Sequence, residues 1–140
     1  MSFLCTTILA EYFQHGRKFN IYISDMTEDI VISAPRYVRV NQRFELNCSS
    51  FVVPRKKTAE FLINDITHTN IRSHENVCYN SFRENICNIN TCHCSEDGRT
   101  YVLYYKANKF IDQKNITCKM KVADDKISVS NTVTIDVVGK

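Results

Sequence analysis

Between Glu84 and Cys94 the chain places three cysteines and a histidine within eleven positions. Those residue types serve three different chemistries: a metal centre, a redox couple or a set of disulfides. A structural zinc site needs four donors in tetrahedral array. Cys78, Cys87, Cys92, His93 and Cys94 would suffice in number. Their spacing, C-x4-C-x-C, lacks the paired C-x2-C knuckles of a zinc module, and His93 sits between two same-facing cysteines, so it should point away from both. No metal is therefore expected. No C-x-x-C pair is present, which leaves thioredoxin-like redox work without its motif. Nucleophilic catalysis needs a nucleophile, a base and an orienting group. His15, His68, His74 and His93 all lie in polar, loop-like sequence and should be solvated. There is no G-x-S-x-G, no H-E-x-x-H and no glycine-rich phosphate loop. The carboxylate pairs Glu28-Asp29, Glu96-Asp97 and Asp124-Asp125 fall at turns, where Asp is favoured for backbone hydrogen bonding. Neither a catalytic centre nor a cofactor is expected, and the cysteines are read as staples.

That choice fits the composition. Seven cysteines in 140 residues is high for a chain kept reduced and common in secreted domains. Two N-x-S/T sequons, at Asn47 and Asn115, point the same way, Asn47 being the poorer acceptor because a cysteine fills its middle position. The formal net charge is +3 with both signs interspersed, and the densest basic spot is Pro54 to Lys57. A nucleic-acid surface normally needs a concentrated basic stripe, so that partner class is not expected. No run of eighteen apolar residues exists, so no membrane-spanning helix is expected either.

The elements that position the cysteines are strands. Phe44, Leu46 and Cys48 alternate in one run, and Ile116, Cys118, Met120 and Val122 in another. The same two-residue period gives Ala59, Phe61 and Ile63; Tyr101, Leu103 and Tyr105; and Val133, Ile135 and Val137. With "EDIVIS" and "RYVRV" there are at least seven such runs, and none shows a useful helical period. Many short antiparallel strands predict a β-sandwich or barrel. Cys48 and Cys118 each sit at an inward position in mid-run. A disulfide between them would tie two sheets together and, closing so long a loop, stabilise by roughly 4 kcal/mol. Asn47 and Asn115 take the outward parity, where glycan would not disturb the core.

These runs resemble an immunoglobulin-like domain over residues 28–138. "VRVNQRFELNC" resembles the family's strand B with its first framework cysteine. "TAEFLIND" stands where strand C would, and "YVLYYKANKFIDQKNITC" resembles strands E and F with Asp112 at the acidic corner between them. "KISVSNTVTIDVV" resembles strand G. Two features depart from the family. There is no tryptophan, Phe61 taking its place, and Ile116 replaces the corner tyrosine two before the second cysteine. The cysteine-rich insert before strand E and the "SNTVTIDVVG" ending look most like domains of invertebrate multi-Ig surface or secreted proteins. The resemblance implies an all-β, immunoglobulin-like antiparallel sandwich over 26–140, extracellular, that recognises or adheres to a protein ligand or receptor. Its core should include Phe44, Leu46, Phe61, Leu103, Tyr105 and Ile116. It also implies that further Ig domains could belong to the same chain. The N-terminal segment 1–25 has three readings: the last hairpin of a preceding Ig domain, turning at His15-Gly16; a weak signal peptide; or an ordinary N-terminal strand or helix. Under the first two, Cys5 has lost its partner or is itself removed.

Within the resemblance, Cys78, Cys87, Cys92 and Cys94 lie in a long polar connection between strands C and E. Cys92 and Cys94 are too close to pair, leaving Cys78–Cys94 with Cys87–Cys92, or Cys78–Cys92 with Cys87–Cys94, the nested first option being preferred. Two cross-links would order an asparagine-rich stretch that cannot order itself by burial. Two patches are candidates for binding: the braced 72–98 loop, and an outward face around Tyr104, Val102 and Lys106. Alternatives from other classes are a small stand-alone secreted cysteine-rich ligand or inhibitor and an intracellular zinc module.

Overall fold

The structure is a computed structural model that describes the backbone of residues 9–14 and 17–22 and, in full, residues 29–80 and 85–139. Cys5, His15-Gly16 and Glu28 lie outside the described residues. β1 (Leu9–Gln14) and β2 (Arg17–Tyr22) pair antiparallel as a sheet of two.

The rest is built from β3 (Ile30–Ser33), β4 (Tyr37–Arg39), β5 (Arg43–Ser50), β6 (Thr58–Ile63), β7 (Ile66–His74), β8 (Val77–Asn80), β9 (Asn85–Ile86), β10 (Cys92–Cys94), β11 (Thr100–Lys106), β12 (Ile116–Ala123), β13 (Lys126–Val129) and β14 (Asp136–Val138). One antiparallel sheet is ordered β10-β11-β5-β3 and the other β13-β12-β6-β7-β8-β9. β14 and β4 form a separate parallel pair. No α-helix occurs among the described residues; the connection between β11 and β12 holds a single 3₁₀ turn, capped by the Asn108 carboxamide.

Alternation decides which side chains meet. Along β5 the inward residues Phe44, Leu46 and Cys48 are buried while Arg43 and Glu45 face water. Phe61, Ile63, Ile71, Ile116, Cys118 and Met120 close on them from the six-stranded sheet to form one core. The Cys48–Cys118 disulfide crosses that core from β5 to β12. Phe61 stands opposite Cys118 in register, and Cys48 lies between Ile32 and Tyr101. Of the six core residues named from sequence, Tyr105 differs. It is only half-buried, its ring packed at the core's margin against Phe44 at 5.7 Å and His68 at 5.4 Å. It stands one residue from the end of β11, where the facing sheet no longer covers it fully.

The largest difference from the sequence expectation concerns residues 66–98. They are not a polar connection but largely sheet: β7, β8, β9 and β10. Two tight turns make this possible. Asn64 and Asp65 between β6 and β7, and Glu75 and Asn76 between β7 and β8, all have positive φ. A pair of left-handed residues gives the turn whose twist matches paired strands. β7 then buries Thr69, Ile71 and Ser73 while showing polar residues outward. His68, His74 and His93 stand in strands rather than loops, though all three are exposed.

Polar groups fasten the edges. The Asn131 carboxamide accepts from the Ile32 N–H at 2.9 Å and donates to the Ile32 carbonyl at 3.1 Å. Asp29, expected as a turn residue, is instead only 8% exposed. It accepts from the Ser128 hydroxyl and lies 2.6 Å from Lys126 Nζ, which compensates the buried charge. Asp112 accepts from the Val137 N–H at 2.8 Å, holding the last strand to the turn before β12. Gly98 has φ 73°, and a Cβ there would fall 2.7 Å from Lys57 Cγ, so this turn requires glycine.

Candidate functional site

Strand β10 is Cys92-His93-Cys94, and alternation sends both sulfurs inward and the imidazole outward. Cys94 joins Cys78 on β8, linking the small sheet to the large one. Cys92 joins Cys87, the residue following β9. Of the two pairings left open by the sequence, this is the nested one. These four sulfurs, like those of Cys48 and Cys118, are in disulfides, so none is a thiolate nucleophile or metal ligand. Among the described residues, no three of His, Cys, Asp and Glu are grouped to hold a metal ion. The three disulfides suggest an oxidising environment of the kind found outside cells. No helix among the described residues is long and apolar enough to cross a membrane.

The Cys87–Cys92 bridge closes a ring of six residues braced by internal hydrogen bonds. The Asn88 carboxamide accepts from the Asn90 N–H at 2.8 Å, and Thr91 Oγ1 accepts from the Asn88 N–H at 2.9 Å. The Asn88 carbonyl accepts from the N–H groups of Thr91 and Cys92. Asn and Thr suit this role because their short side chains reach neighbouring backbone. The ring is then fixed to the sheet. Arg43 on β5 donates through Nη1 to the Ile89 carbonyl at 3.0 Å and to Asn90 Oδ1 at 2.6 Å. The same guanidinium lies 4.8 Å over the Tyr104 ring, and the Tyr104 N–H donates to the Thr91 carbonyl. At the apex Ile89 is 81% exposed, with Ile86 63% exposed beside the bridge.

A large apolar residue whose backbone is held by two disulfides, an arginine clamp and internal hydrogen bonds has little backbone freedom left to lose. It can act as a rigid contact point for a protein surface. Tyr104 is half-buried beneath Arg43, so its face is used internally, and Val102 beside it is buried. The contact residues not found from sequence are Arg43 and Ile89. Arg43 reads only as an outward position of β5, and its ring partners lie 46 and 47 positions away.

The sequon residues occupy different settings. Asn115 is exposed at the foot of β12, its N–H donating to Asn64 Oδ1 at 3.0 Å. Asn47 is half-buried in mid-sheet between Ser33 and Val102, and its Oδ1 accepts from the Ser49 hydroxyl.

Two titrating groups stand out near β11. Burial pushes the Tyr101 phenol up, with the Asp97 carboxylate adding to the effect. Asp97 itself is held below the usual carboxylate range by the Ser95 hydroxyl and the Arg99 N–H. Neither faces a site where chemistry could occur: Tyr101 is sealed in the core, and Asp97 shapes an exposed turn. No known protein-family model matches this chain, and no curated protein matches it.

Proposed function

We propose that this protein is an extracellular immunoglobulin-type module that recognises another protein, with no catalytic step and no cofactor. The observation that carries the reading is strand order. The order β10-β11-β5-β3 corresponds to D-E-B-A of that architecture, and β13-β12-β6-β7-β8 to G-F-C-C′-C″. The disulfide from β5 to β12 falls on strands B and F, and Phe61 opposes its second cysteine where the family carries tryptophan. Ile116 at the corner position is fully buried and offers no hydroxyl, so Asp112 does the fastening there instead.

Fold alone does not name a function. The site that favours recognition is the braced ring with Ile89 at its apex, an exposed aliphatic residue held rigid rather than tucked away. Its partner in this reading is a protein with an apolar pocket. The domain, multimerised on fluorescent beads, should bind intact cells of its own source. Binding should vanish after surface proteolysis and fall at least about tenfold for Ile89→Asp, since a buried apolar anchor typically carries more than 1 kcal/mol. Binding insensitive to both treatments would sink the proposal.

A further inference from the structure

We infer that the outward face of the six-stranded sheet carries a second, separate site, for a sulfated polysaccharide. The register sets out the surface. Across β12, β6 and β7, Lys119 stands opposite Glu60 and Glu60 opposite Asn70. One step along, Lys121 pairs with Ile127 of β13, and Thr58 of β6 pairs with Arg72 of β7. Lys119 and Lys121 are two residues apart on one strand and so about 7 Å apart on one face. Lys56 joins them, its N–H donating to the Lys121 carbonyl. Lys56, Lys119, Lys121, Glu60, Asn70 and Ile127 together line a shallow cleft of about 230 Å³.

The charge is one-sided. Three cations, Lys56, Lys119 and Lys121, line the cleft with one carboxylate, and Glu60 is already engaged by the Thr67 hydroxyl and by Lys119 Nζ at 3.9 Å. Of the two acids at the neighbouring hairpin, Asp124 is held by Arg55 at 2.7 Å and Asp125 is exposed. Such a surface draws a polyanion. Two further features favour a glycan over a nucleic acid. The Asn70 carboxamide oxygen is buried in this row and accepts no hydrogen bond among the described residues. A sugar hydroxyl would satisfy it once the side chain turns to the cleft; a phosphate only accepts and could not, so a nucleic acid would have to present a base amino group or a ribose hydroxyl there. Ile127 is 66% exposed at the cleft margin and offers an apolar surface to the C–H face of a sugar ring, whereas no aromatic ring lines the cleft for base stacking. The suggested oxidising environment also places sulfated glycans, not nucleic acids, in reach.

Immobilised heparin is the probe, with the whole chain bearing its three disulfides. The protein should be retained at an ionic strength of about 0.15 M and eluted by more salt. Lys119→Ala with Lys121→Ala should weaken binding roughly thirtyfold, taking each lysine at a polyanionic surface as worth about a factor of five. Lys56→Ala, outside the strands, repeats the test without altering the sheet. Lys106→Ala with Lys109→Ala removes equal charge elsewhere and should change binding less than about twofold. Equal loss in that control, equal retention on desulfated heparin or on an oligo-dT column, or no retention at all would each overturn the inference. Ile89→Asp should leave heparin binding unchanged, which separates this site from the braced ring.

Discussion

Tyr101 is the largest of the fully buried side chains, and its hydroxyl has no hydrogen-bond partner among the described residues. It lies between Cys48 and Cys94 in the register of its sheet, so each neighbouring strand presents a disulfide sulfur rather than an oxygen acceptor. An unpaired buried hydroxyl is destabilising, and burial raises this phenol above its ordinary value. The unfolded chain releases the tyrosine proton near pH 10 and the folded one later, so stability is complete below about pH 10 and declines above it. Tyr101→Phe should therefore raise stability by about 1 kcal/mol at neutral pH. It should also flatten the decline above pH 10 in urea titrations. A substantial loss of stability in the phenylalanine variant would mean the hydroxyl has a partner after all.

At the scale of elements, some strands were legible and others were not, for identifiable reasons. β5 alternates cleanly and its core residues follow from that, while β6, β11 and β12 keep the two-residue period at Phe61 and Ile63, at Tyr101 and Leu103, and at Ile116, Cys118 and Met120, although Leu62, Val102 and Thr117 between them are buried as well. β7 was hidden because its inward positions include Thr69 and Ser73, small polar residues that look like loop. Its turns use Asn64-Asp65 and Glu75-Asn76 instead of the glycine pairs that announce a hairpin. Of the braced ring, the cysteines could be found from sequence but the Arg43 clamp could not, because an outward arginine on a strand carries no mark of its distant partner. The same holds for Asn131, which lies in a polar stretch yet ties β3 to the chain beyond β13 through two hydrogen bonds. Asn131→Ala should lose about 1–3 kcal/mol, readable as a lowered urea midpoint, since both bonds go and the Ile32 groups are left unpaired. A change within a few tenths would show that water replaces the carboxamide.

Over the whole molecule, cross-links do work that burial does at one place and cannot do at another. Cys48–Cys118 closes a separation of 70 residues inside an already dense core, and its removal as a Cys→Ala pair should lower stability by about 4 kcal/mol. The smaller loops of 16 and 5 residues give about 3 and about 2 kcal/mol on the same relation. They act where the sheet edge is asparagine-rich and little apolar area is available, so their main effect is to fix the ring that presents Ile89. Reduction of the outer pair should accordingly lower partner binding before the domain unfolds. A stapled recognition module requires these six sulfurs to be joined in three pairs. The decisive measurement is non-reducing peptide mapping by mass spectrometry, with zinc assayed in the same native sample. The account predicts Cys48–Cys118, Cys78–Cys94 and Cys87–Cys92 with no bound metal. Free thiols at Cys78, Cys87, Cys92 and Cys94 together with one zinc per chain would contradict it.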